Sequence, residues 1–266
     1  MKKYLIVSGD SNTANDFSSA SHPDMDFSYK KWPELLAENL GMKCINLARC
    51  GAGNEYIYTS LRDQIVKIKD KNEIGLVIAA WTQATRKDYK EGQNWTSLRI
   101  DPHGNLPFWV EKSLGHYLNF QILCERYNLT YTQFQMIELY EHYLYGLFPS
   151  QTDVEEGKNP YVQTEYPGDQ NKDELRIFRF INEYEKMLDT SKIMGWPLTR
   201  KKSGWNFKYQ SDIWKNPNSP RRISAIDDHP NKLGHIAVNN KINKLLQDYK
   251  IINLENGHFV RGKNNG

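Results

Sequence analysis

Residues 74–81 read Ile-Gly-Leu-Val-Ile-Ala-Ala-Trp, a run with no charged or hydrogen-bonding aliphatic side chain. A strand with one wet face alternates apolar and polar residues, whereas a strand covered on both faces has no need to. The run is also far short of the roughly 18 apolar residues that a membrane span requires. It therefore predicts a buried central strand, and its neighbours fit around it. Tyr4 to Val7 and Lys43 to Ala48 read as two more short strands. Between them, Trp32, Leu35, Leu36 and Leu40 recur at helical spacing and stop at Gly41; after the second strand, Ile57, Leu61, Ile65 and Ile68 form another stripe. Strand, helix, strand, helix, strand with crossovers of this length is the pattern of a parallel sheet.

A helix from about Phe108 to Tyr127 and a fourth strand within Leu129 to Ile137 continue the alternation. It breaks from about 138 to 225, a polar and aromatic stretch that reads as a variable lid or insertion. A last helix follows, with Val238, Ile242, Leu245 and Tyr249 on one face and Pro230 near its start. The expected architecture is a single domain spanning 1–266: a three-layer α/β/α fold around a flavodoxin-like parallel sheet, with the insertion ahead of the last helix.

Composition narrows the function. A net charge of +3 is too small to imply nucleic acid, and the densest basic run, Arg200 to Lys202, is short. The start Met-Lys-Lys-Tyr-Leu-Ile-Val is charged like a signal peptide, but its apolar part is too short and lacks a small-residue cleavage site, so the chain is expected to be cytoplasmic. Three cysteines without paired spacing, and seven histidines without a metal-protease pattern, point to reduced thiols and to no metal or cofactor.

Two short stretches carry chemistry. Gly9-Asp10-Ser11-Asn12 stops the first strand dead and places Ser11 at its carboxyl end, the edge where open α/β sheets bind ligands. Asp227-Asp228-His229-Pro230 stands just before the last helix. There an Asp-x-His offers an imidazole with a carboxylate able to fix its tautomer, the base half of a nucleophilic triad. Each stretch also has a structural reading: a plain turn at 9–12, and Asp227 or Asp228 capping a helix that begins at Pro230.

Taken in order, Gly-Asp-Ser-Asn at 9–12, Asn-Leu-Ala-Arg-Cys-Gly-Ala-Gly-Asn at 46–54 and Asp-Asp-His-Pro-Asn-Lys-Leu-Gly-His at 227–235 resemble the nucleophile, glycine and histidine blocks of the SGNH, or GDSL-like, serine esterases and acylhydrolases. The resemblance implies Ser11 as nucleophile, His229 as general base, and backbone N–H groups of Ser11 and Gly51 in an oxyanion hole. A variant of the histidine block with the acid two residues before the base selects Asp227. The family's third block, Gly-x-Asn-Asp, has no counterpart: the third strand runs into Thr82 and Gln83, either of which stands where the oxyanion Asn would be. The resemblance further implies an ester substrate within a broad class, from short-chain esters and acetylated sugars to lipids; the polar 138–225 stretch, without a long apolar stripe, favours a small acyl group such as acetyl, on a small molecule or carbohydrate. Asn12, Asn54, Trp81 and Trp196 are candidate substrate-binding residues, and Trp205 and Trp214 add to the aromatic surface. The competing reading is a non-catalytic binding or structural protein that keeps the fold with a degenerate oxyanion hole. A nucleotide-binding protein lacks support, since no Gly-x-Gly-x-x-Gly or phosphate-cradling loop is present.

Overall fold

The structure is a computed structural model that describes residues 2–92, 94–98, 105–144, 147–149, 161–163, 166, 168–199, 206–207, 213, 216–255 and 258–260. Arg200 to Lys202, Trp205 and Trp214 lie outside the described residues. The elements that build the core are β1 (Tyr4–Ser8), α1 (Trp32–Asn39), β2 (Lys43–Asn46), α2 (Asn54–Lys67), β3 (Ile74–Trp81), the hairpin β4 (Lys87–Glu91) and β5 (Asn94–Leu98), α3 (Leu106–Arg126) and β6 (Tyr131–Gln135). Short pieces α4 (Glu141–Leu144), β7 (Leu147–Pro149) and β8 (Tyr161–Gln163) lead to α5 (Gln170–Glu185), β9 (Ile193–Met194) and the last helix, α6 (Lys232–Asp248).

Five strands form one sheet in the order β2-β1-β3-β6-β9, with every pair parallel. Counting sheet strands alone, this is the 2-1-3-4-5 order of flavodoxin-like folds, whose chain direction across the sheet reverses between the first and third strands. β3 occupies the centre and all eight of its residues are buried. Their alternation explains the unbroken apolar run. Val77, Ala79 and Trp81 pack with the stripes of α2, α3 and α5, including Ile57, Leu61, Leu114 and Ile177. Leu76, Ile78 and Ala80 pack on the other face with Trp32 and Leu36 of α1 and with Val238 and Ile242 of α6. The molecule is therefore a three-layer α/β/α sandwich whose helices cover both faces of the sheet. No described helix is long and apolar enough to cross a membrane.

Two parts of this arrangement depart from the sequence expectation. The segment 138–225 is not wholly an insertion, because it contributes α5, packed on α3, and β9, the fifth strand. At two residues, β9 is too short to show a period. The last helix starts at Lys232 rather than Pro230, and its cap is Asn231, whose Oδ1 accepts the Gly234 N–H at 3.0 Å. Neither Asp227 nor Asp228 has that task.

Candidate active site

The reversal point of the sheet lies between β1 and β3, and the loops leaving β1, β2 and β3 converge there. The β1 loop turns tightly under the sheet edge: a Cβ on Gly9 would sit 2.6 Å from Thr13 Oγ1 and 3.2 Å from the Ala80 side chain, so only glycine fits. The turn closes with Thr13 and Ala14 N–H donating to the Asp10 carbonyl at 2.9 and 3.0 Å, which presents Ser11 at the rim with 8 % of its surface exposed. The β2 loop is tied alongside, Arg49 N–H donating to the Gly9 carbonyl at 3.1 Å. Gly51 then takes φ +75°, in the left-handed region that glycine enters without strain.

A fourth contributor comes from far along the chain. Ile223 N–H donates to the His229 carbonyl at 2.9 Å and Ser224 N–H to the Asp227 carbonyl at 3.1 Å, forming a compact loop ahead of α6. The buried Arg222 guanidinium braces it through the carbonyls of Ser224 (2.7 Å) and Ala225 (3.1 Å). This loop brings His229 Nε2 to 2.8 Å from Ser11 Oγ across 218 residues of sequence, and His229 Nδ1 lies 2.7 Å from Asp227 Oδ1. A carboxylate only accepts, so Nδ1 carries the hydrogen and Nε2 is left to accept from the serine hydroxyl. Asp228 stands further away, its Oδ1 4.0 Å from Nδ1. Phe17 stacks on the imidazole at 4.3 Å between ring centroids and holds its plane.

Asp227 is nine-tenths buried and each of its oxygens has a donor. Oδ1 also accepts the His229 backbone N–H at 3.0 Å, while Oδ2 accepts a hydrogen bond from the buried Ser19 hydroxyl. Burial alone pushes this carboxyl upward, but the His229 ring and backbone and the Ser19 hydroxyl outweigh it and hold Asp227 well below the usual carboxylate range. Behind it, Asp227 N–H donates to Ser224 Oγ at 3.1 Å, which in turn lies 2.8 Å from His22 Nε2. Asp227, Asp228 and His229 are also the one described cluster with metal-ligand proximity. Both ring nitrogens of His229 are engaged, Nε2 with Ser11 Oγ and Nδ1 with Asp227 Oδ1.

The loops after β2 and β3 are knitted together by buried polar groups. Asn54 and Thr82 bond reciprocally, Thr82 N–H to Asn54 Oδ1 at 2.9 Å and Asn54 Nδ2 to the Thr82 carbonyl at 3.1 Å, so Asn54 is a strut between loops. The Thr82 hydroxyl, one of the two groups standing where the oxyanion Asn would be, donates to Asp10 Oδ2 at 2.9 Å. Gln83 follows it, half-buried. Asn12 is buried, its backbone and side-chain N–H groups both on Asp10 Oδ1 at 3.0 and 3.1 Å. Trp81 is fully buried, stacked on Tyr117 at 4.4 Å and donating to Gln133 Oε1 at 2.8 Å, so it is core and does not reach the Ser11 rim. Trp196 follows the edge strand β9, on the far side of β3 and β6 from Ser11, and donates to Glu185 at 2.8 Å. Cys50, beside Gly51, is exposed.

Sequence reasoning missed Ser19, Asp10, Arg86 and Asp88. Asp88, on the hairpin, accepts the N–H groups of Gly53 (2.9 Å) and Tyr56 (2.8 Å) and so supplies the N-terminal cap that α2 lacks in its own sequence. A buried carboxylate 35 positions from the amide it caps leaves no local signal. Ser19 left none either, since Ser18 and Ser21 beside it are equally small hydroxyls and its partner Asp227 lies 208 positions away.

No protein-family model matches the sequence, and no curated protein sequence matches it. Among solved structures, the chain resembles a psychrotrophic esterase from Pseudoalteromonas sp., with 12% identity over 94% of this chain and 99% of that one and a TM-score of 0.46. It also resembles a lipolytic protein of the G-D-S-L family from Desulfitobacterium hafniense (13% identity, 92% and 100% covered, TM-score 0.45). An SGNH hydrolase from Slackia heliotrinireducens matches at 13% identity, over 92% of this chain and 100% of that one, with a TM-score of 0.35. SGNH and GDSL hydrolases, the family that the sequence blocks resemble, are thus among the solved structures to which this chain is similar.

Proposed function

We propose that this chain is a serine esterase that cleaves a small acyl ester through an acyl-enzyme on Ser11. One observation carries the reading: Ser11 Oγ, His229 Nε2, His229 Nδ1 and Asp227 Oδ1 form an unbroken chain with links of 2.8 and 2.7 Å, at the reversal point of the sheet. In the proposed reaction His229 Nε2 takes the Ser11 proton as Oγ attacks the acyl carbon. The resulting oxyanion is held by the N–H groups of Ser11 and Gly51, with Gln83 the proposed side-chain donor because the Thr82 hydroxyl is spent on Asp10. Collapse of the tetrahedral intermediate breaks the ester C–O bond, and His229 returns the proton to the departing alcohol. Water then repeats the sequence on the acyl-enzyme and releases the carboxylic acid. Asp227 stays ionised throughout, keeps Nδ1–H in place and balances the imidazolium.

The 8 % exposure of Ser11 and the Phe17 ring against His229 favour a narrow acyl side, hence an acetyl or similarly short group. The test is labelling by a fluorophosphonate probe together with p-nitrophenyl acetate hydrolysis, each expected in the wild type and absent in Ser11→Ala. The engaged Thr82 hydroxyl favours one rival, a non-catalytic binding protein. A folded wild type that neither labels nor hydrolyses any short ester selects that rival.

A further inference from the structure

Asp10 precedes the proposed nucleophile by one residue, and its side chain is fully buried. Asn12 occupies Oδ1 with two N–H groups, and Oδ2 receives the Thr82 hydroxyl at 2.9 Å and Arg86 Nη1 at 3.3 Å. The Arg86 side chain is only 8 % exposed, and the same nitrogen lies 3.4 Å from the carbonyl oxygen of Ala52, the residue after Gly51. Arg86 therefore touches both loops whose backbone amides are assigned to the oxyanion.

A buried carboxylate one residue from the point where an ester carbonyl becomes negative opposes that change, because charges away from water are weakly screened. The triad does not relieve it, since the imidazolium of His229 is matched by Asp227. We propose that Arg86 is a positioning residue that acts as the counterion of Asp10: it cancels this carboxylate beside the nucleophile and holds the Ser11 and Gly51 loops at one spacing. The effect on rate rests on the esterase reading. The matching of one buried negative charge to one buried positive charge does not.

The experiment uses the full chain with Arg86→Met, Asp10→Asn and the double variant, read by the rate of fluorophosphonate labelling, by kcat and KM on p-nitrophenyl acetate, and by the urea unfolding midpoint. Arg86→Met is expected to slow labelling and kcat about 100-fold with KM within about threefold, since the loss falls on the transition state. The double variant removes both members of the Asp10–Arg86 pair. Asn at position 10 keeps an acceptor for Asn12, and the Thr82 hydroxyl can turn to accept from its amide. It is expected to recover about tenfold or more over Arg86→Met and to unfold at higher urea. Wild-type rates in Arg86→Met, or a double variant no faster than Arg86→Met, overturn the proposal. Should Arg86→Met fail to fold, a folded and reactive double variant supports the counterion role and an unfolded one overturns it. Should the wild type itself neither label nor hydrolyse, the esterase reading fails separately. The unfolding midpoints then decide: a double variant more stable than Arg86→Met supports the pairing, and an equal or less stable one overturns it.

Discussion

Acid should unfold this protein through His235, and the size of the effect follows from where that residue sits. His235 is 2 % exposed in the first turn of α6, and its Nδ1 accepts the backbone N–H of Trp32, the first residue of α1, at 3.3 Å. Burial first, then the charges of Lys31 and His229, push its pKa down to about 3. In the unfolded chain the same imidazole titrates near 6.5. A base depressed in the folded state contributes full stability above the unfolded value and loses it as pH falls from about 6.5 toward 3. At pH 5 the unfolded chain binds this proton with about a 30-fold preference while the folded chain scarcely binds it, which costs about 2 kcal/mol. That is a sizeable part of the roughly 5–15 kcal/mol that holds a typical domain together. The assay is urea unfolding of the wild type and His235→Asn at pH 8 and pH 5. Asparagine retains an acceptor for the Trp32 N–H but no proton to gain, so the variant should lose about 2 kcal/mol less than the wild type between the two conditions. His116, lowered to about 4 by burial and by Lys112, gives both proteins the same background. An equal loss in both proteins would refute the assignment of acid lability to His235.

Asp227→Asn should reduce kcat by about 10²-fold or more, because the amide favours the wrong imidazole tautomer. Asp228→Asn should leave kcat within about threefold, as its carboxylate stands 4.0 Å from Nδ1 outside the Ser-His-Asp chain. Thr82→Val, which removes the donor to Asp10, should lower stability by about 1 kcal/mol in chemical unfolding, while Gln83→Leu should lower kcat with KM little changed. The reverse pattern in the Thr82 and Gln83 pair reassigns the oxyanion donor. Asn231→Ala should cost about 1 kcal/mol in thermal unfolding through the loss of the α6 cap.

Local patterns in the sequence were sufficient for the α/β alternation, for β3 as a doubly covered strand and for the Ser11 turn, because hydrophobic period and turn chemistry act over a few residues. The Asp227-x-His229 pairing was equally legible, since two residues span it. What only the tertiary structure decided is what closes over long separations. Ser11 meets His229 across 218 positions, Ser19 reaches Asp227 across 208, and Arg86 reaches Asp10 across 76. Those contacts exist because the sheet order 2-1-3-4-5 brings the loops after β1, β2 and β3 to one reversal point and the 222–231 loop folds back onto it, and no local pattern records which distant residues meet there. Trp81 shows the same limit from the other side: at the carboxyl end of β3 an indole suits a substrate face or a core equally well by composition. The stacking partner Tyr117 and the acceptor Gln133, from α3 and β6, made it core. Buried polar groups must find partners wherever the fold supplies them, so their roles were settled by the assembled layers and not by their neighbours in sequence.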